Sequence, residues 1–100
     1  MNYILDGHEP MPCDDIVVWG TWFKTADRHV AKDSVGDVKI STVFLGLDHG
    51  FSGGPPLFFE TMIFGGKHDG YQDRYSTWDE AVAGHRRAVE MVKGPREPRE

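Results

Sequence analysis

Val38-Lys39-Ile40-Ser41-Thr42-Val43-Phe44-Leu45-Gly46-Leu47 and Leu57-Phe58-Phe59-Glu60-Thr61-Met62-Ile63-Phe64 are the two stretches that decide the fold. Both are rich in β-branched and aromatic residues, which favour a pleated, half-buried surface. In the first, Val38, Ile40, Thr42 and Phe44 alternate onto one side. Lys39 and Ser41 occupy the other side and then give way to Val43, Leu45 and Leu47. The spacing predicts a central strand over Val38–Leu47, apolar on both faces in its far half. One face is expected under a helix and the other under the first helix or another subunit. The intervening Asp48–Pro56, DHGFSGGPP, reads as a loop, so Leu57–Phe64 is expected to pair back as an antiparallel partner.

Working outward, His29–Lys32 predicts a strand and Asp33–Asp37 a turn. Downstream, Gly65–Gly70 reads as a loop and Tyr71–Tyr75 as a short edge strand. Thr77-Trp78-Asp79-Glu80 matches a capping box. Trp78, Ala81, Val82, His85, Ala88, Val89 and Val92 then recur at helical spacing up to the stop at Gly94-Pro95. Upstream, Tyr3-Ile4-Leu5 reads as a short strand ended by Asp6-Gly7, and His8–Asp15, with Pro10 and Pro12, as a loop. Asp14 or Asp15 is placed to cap a short helix whose inner face is Ile16, Trp19, Phe23 and Ala26. The expected class is α+β. It is a single domain over 1–94, an antiparallel sheet with a long C-terminal helix on one face and a short N-terminal helix, followed by a polar tail over 95–100.

Composition narrows the function classes. One hundred residues with 39% hydrophobic content suffice for one core. A single cysteine, Cys13, excludes an intrachain disulfide and a multi-cysteine zinc site. Apolar runs of a few residues predict no membrane span, and the MNYILDGHEP start lacks the features of a signal peptide. Eleven basic against sixteen acidic residues give a net charge of −5, which disfavours general nucleic-acid binding.

No phosphate-loop, dinucleotide or HExxH pattern occurs. Neither a catalytic set nor a metal or cofactor is therefore assigned. Two features point instead to ligand capture. Glycine-rich loops allow backbone N–H groups to approach a ligand closely, and the chain carries more aromatics than one small core needs. Glu60, a carboxylate inside an apolar strand, requires a partner such as Lys39 or Arg74, or else faces a ligand. The candidate ligand-binding set is Trp19, Trp22, Asp48, His49, Gly53, Gly54, Glu60, Arg74 and Tyr75, in a pocket built from loops 48–56 and 65–70. His85 reads as a satisfied core histidine. The competing reading is a small metal- or acid/base-dependent hydrolase using Asp48, His49 and Glu60 with His68 or Asp69. The apolar, aromatic-rich sheet also predicts a homo-oligomer.

Ser41–Gly66 (STVFLGLDHGFSGGPPLFFETMIFGG) and Arg74–His85 (RYSTWDEAVAGH) give the chain a resemblance to a family of small conserved hypothetical proteins of phages and prophages. It extends to the YILDG start and the PCDD segment. The resemblance implies an accessory protein acting in the host bacterial cytoplasm. By analogy with other small phage proteins, it implies an inhibitor of host defence that sequesters a nucleotide-type signal or blocks a defence protein. A structural or morphogenetic phage component is the further alternative.

Overall fold

The computed structural model describes residues 2–48 and 54–94. Its elements in order are β1 (Tyr3–Asp6), β2 (Glu9–Pro12), α1 (Ile16–Thr25), β3 (His29–Val35), β4 (Val38–Phe44), β5 (Phe59–Phe64), β6 (Gln72–Tyr75) and α2 (Trp78–Lys93). β3 to β6 form an antiparallel sheet in sequence order, and β1–β2 form a separate hairpin. The α+β class, the antiparallel sheet and both helices are as the periodicity predicts.

α2 owes its start to Thr77, whose hydroxyl accepts from Glu80 N while the Glu80 carboxylate accepts from Thr77 N. It packs across the four-stranded sheet and buries Ala81, Gly84, His85 and Ala88. Beneath it lie Ile40, Phe44, Phe59 and Ile63, the alternate residues of the two central strands. Gly84 is needed there, because a Cβ would lie 2.2 Å from the Tyr75 ring. At one end of this layer, the β1–β2 hairpin and α1 extend the core, with Tyr3, Leu5 and Trp22 packed against Phe44 and Phe58.

Four boundaries differ from the sequence reading. His8–Asp15 is not all loop, since Glu9–Pro12 pairs with β1. The turn is Gly7-His8, with Gly7 at φ 63°, and the register closed at Asp6–Glu9 turns the N–H groups of Glu9 and Met11 toward β1. Pro10 and Pro12 fall on the outward positions of an edge strand, where no N–H is needed. β3 likewise continues to Val35 and confines the turn to Gly36-Asp37. β4 ends at Phe44 rather than Leu47. Gly46 takes φ 79° under the Phe23 ring, and Leu47 keeps only an isolated bridge to Asn2. β5 begins at Phe59 rather than Leu57.

α1 forms as predicted with Asp15 as its cap, accepting from Val17 N and Val18 N. Its inner face is Trp19, Trp22 and Phe23. Ile16, expected inside, is 61% exposed beside Val17 and Val18.

Candidate functional site

β5 separates the two loops expected to share a pocket. Six residues of strand span about 20 Å, so the chain around Asp48 and Gly54 lies at one end and Gly65–Gly70 at the other. Asp48 and His68 therefore lie about a strand's length apart, at opposite ends of β5. His68 instead lines a small recess with Val38, Lys67 and Met91. His49 and Gly53 fall outside the described residues.

The remaining candidate residues divide into packing and surface groups. Trp19 stacks on Phe23 at 4.8 Å and donates from Nε1 to the Tyr3 carbonyl at 3.0 Å. Trp22 meets Phe44 edge-on. Both indoles therefore serve the junction of α1 with the hairpin and the sheet. Asp48 accepts from Leu57 N at 2.8 Å and closes the loop base, while Gly54 is exposed. Glu60 pairs with Arg74 Nε at 2.9 Å and with the Gln72 side chain, the arginine being one of the two partners expected for it. The Glu60 side chain is 11% exposed and that of Arg74 35%. Tyr75 is buried and donates to Thr61 Oγ1 at 3.2 Å. Burial, the largest influence, raises its pKa above the usual tyrosine value.

Thr61 leads into a buried chain of side chains that no sequence motif marks. Thr61 Oγ1 bonds Thr42 Oγ1, Thr42 bonds His85 Nδ1 at 2.7 Å, and His85 Nε2 meets Asp33 Oδ2 at 2.7 Å. An ionised carboxylate only accepts, so His85 Nε2 donates to Asp33, and in the Nε2–H tautomer Nδ1 accepts from Thr42. Each hydroxyl then passes its donor onward from Tyr75 through Thr61 to Thr42. The Asp–His–Thr order has the sequence of roles found in nucleophilic triads. However, Thr42 and Thr61 are fully buried and line none of the clefts described here, so the chain ties β3 to β6 beneath α2. The legible clue was alternation, which places Thr42 and Thr61 on the helix-facing side among Ile40, Phe44, Phe59 and Ile63. Asp33 had been assigned to a turn and gave no such clue.

Two open grooves flank the start of α2. One, of about 520 Å³, lies between the β1–β2 hairpin and α2, where His8 stacks on Trp78 at 3.7 Å. The other, of about 540 Å³, is bounded by Pro55, Leu57, β6 from Asp73 to Ser76, and Glu80, Ala83 and Arg87 of α2. Its acids have internal duties: Asp73 accepts from Arg74 N, and Glu80 accepts from Ser76 N and Thr77 N. Arg87 has no ion-pair partner among the described residues, and Arg74 engages Glu60 through Nε alone. Ser76 Oγ donates to the Pro56 carbonyl and fastens the loop end to β6.

Among the described residues, no group of three His, Cys, Asp or Glu is arranged to hold a metal ion. Among these residues, too, no helix is long and apolar enough to cross a membrane. No protein-family model, curated protein or solved structure matches the chain.

Proposed function

We propose that this chain is a non-enzymatic binding protein that captures a small phosphate-bearing ligand of nucleotide type in the groove between residues 55–57, β6 and α2. The observation that carries the reading is Arg87 of α2, without an ion-pair partner among the described residues, on an open groove of about 540 Å³ whose β6 wall includes Arg74. That volume falls within the range of small-molecule sites, and guanidinium groups bind phosphate oxygens in pairs of parallel hydrogen bonds. Asp73 and Glu80 also line the groove and accept from backbone N–H groups. Tyr75 forms part of the wall but is held by Thr61 and Gly84, so it shapes the groove rather than swinging over a base.

A hydrolase receives less support. Of its expected residues, Asp48 lies at one end of β5 and His68 and Asp69 at the other, and the buried Asp33–His85–Thr42 chain has its hydroxyl sealed under α2. With the resemblance to phage proteins, the capture reading becomes sequestration of a host nucleotide signal in the bacterial cytoplasm. A thermal-shift panel of mono-, di- and cyclic nucleotides tests it. A ligand at 100 times its Kd stabilises the fold by about 2.7 kcal/mol. For a domain of this size that raises Tm by about 10–20 °C. The shift is expected to disappear in Arg87→Ala. A flat panel, or a hit that survives Arg87→Ala, rejects the groove as the site.

A further inference from the structure

The sheet face opposite α2 has a composition of its own. Strand register places Lys32, Ser34, Lys39, Ser41, Val43, Glu60, Met62, Phe64, Gln72 and Arg74 on it. Val43 and Met62 are half-buried, and Phe64 is 48% exposed at the end of β5. Lys39 sits directly across from Phe64, and Lys32 is in register with Ser41, itself across from Met62. Directly opposed side chains lie about 5 Å apart. The result is a short apolar floor edged by two lysines that have no ion-pair partner among the described residues. The one carboxylate of the face, Glu60, is neutralised by Arg74. Asp27, at the entry to β3, is held by His29. In a chain of net charge −5, this face carries the opposite sign.

We propose that the open face of the sheet docks an acidic segment of a partner protein that carries an apolar anchor. Charge selects the occupant. In a two-fold sheet-on-sheet dimer, both surfaces would carry Lys32 and Lys39, so like charges would meet like. A single-stranded nucleic acid needs several stacking aromatics and a cationic track along its backbone. This face offers Phe64 alone for stacking and two free lysines, too few for a nucleic-acid track. Carboxylates on a short segment match Lys32 and Lys39, and one apolar side chain fits against Met62 and Phe64, which are two residues apart on one face of β5. The inference does not rest on the proposed groove, whose Arg87 lies on α2 across the sheet; Arg74 of β6 borders both.

Amide NMR of the full chain tests it, with three probes titrated separately. These are a ten-residue peptide of Asp, Glu, Leu and Phe, the same peptide with Lys for the acids, and a ten-residue oligothymidylate. The acidic peptide is expected to shift amides of Lys32, Lys39, Ser41, Val43, Met62 and Phe64. Its binding should weaken as salt rises and fall by about tenfold or more in Lys32→Glu/Lys39→Glu, since reversing two charges turns two attractions into repulsions. Both substitutions are at exposed positions, and circular dichroism verifies the fold. Phe64→Ser, with both lysines intact, should also weaken binding. The proposal is overturned if the acidic peptide shifts no residue of this face, or if the lysine peptide binds equally well. It is also overturned if the oligonucleotide binds the face more tightly, or if the face shifts on dilution of the free protein, which would mark a second copy as its occupant.

Discussion

Replacing Thr42 with valine isolates the buried hydroxyl chain, because the two side chains have nearly the same shape. In the native protein Thr42 Oγ1 bonds both His85 Nδ1 and Thr61 Oγ1, with Thr42 and Thr61 fully buried and His85 only 5% exposed. Valine strands the His85 acceptor, which costs about 1–3 kcal/mol when buried. It also leaves the Thr61 hydroxyl without an acceptor, about 1 kcal/mol more. The added methyl returns up to about 0.8 kcal/mol. The net expectation is a loss near 2 kcal/mol, or a Tm lower by about 8–16 °C. Urea unfolding at pH 7, followed by both circular dichroism and tryptophan fluorescence, measures it under a two-state test. If burial alone mattered, valine would be neutral or stabilising in this strand, so the two accounts predict opposite signs. A Thr42→Val protein as stable as the parent refutes the linked chain. Thr61→Val should also destabilise, and the double variant should cost less than the sum, because the Thr42–Thr61 bond is lost in each single variant.

Gly84→Ala should destabilise by about 1–2 kcal/mol in the same assay, since the new methyl would overlap the Tyr75 ring, even though alanine favours a helix by about 1 kcal/mol. Thr77→Ala removes the hydroxyl that caps Glu80 N and should cost about 1 kcal/mol, read as lost thermal stability with the sheet unchanged. At alkaline pH, the raised Tyr75 pKa has a definite sign. Its contribution is complete below about pH 10, the value for an unfolded tyrosine, and is lost as pH rises through the folded value. Tyr75→Phe should flatten that part of the stability–pH curve, and an unchanged alkaline slope would remove Tyr75 from the account.

Strong local signals made most of the fold legible. The capping box at Thr77 and the apolar positions up to Val92 gave α2 its observed limits, because period and cap agreed. β4 and β5 were legible from alternation, although Gly46 cut β4 short through a contact with Phe23 from elsewhere in the chain. β2 was hidden because Pro10 and Pro12 argue against a strand until the Gly7-His8 turn fixes which edge each faces. The candidate site was less visible. Glu60 signalled its need for a cation, and Arg74 answers it. The loops around Asp48 and Gly65 looked like neighbours because both are glycine-rich, yet a hairpin strand places its two ends far apart. Trp19 and Trp22 looked surplus only because the hairpin core they serve had been read as a loop. Arg87 gave no sign, since one more basic residue on a helix gains meaning only when β6 lies beside it.

The central claim is that the groove between β6 and α2 binds phosphate-bearing ligands through Arg87. An amide NMR titration of the parent chain and Arg87→Ala with inorganic pyrophosphate and ADP tests it most directly. The account predicts shifts clustered at Leu57, Asp73–Ser76, Ala83 and Arg87 in the parent, and their loss in the variant. Shifts confined to Gly65–Gly70, or none at millimolar ligand, contradict it.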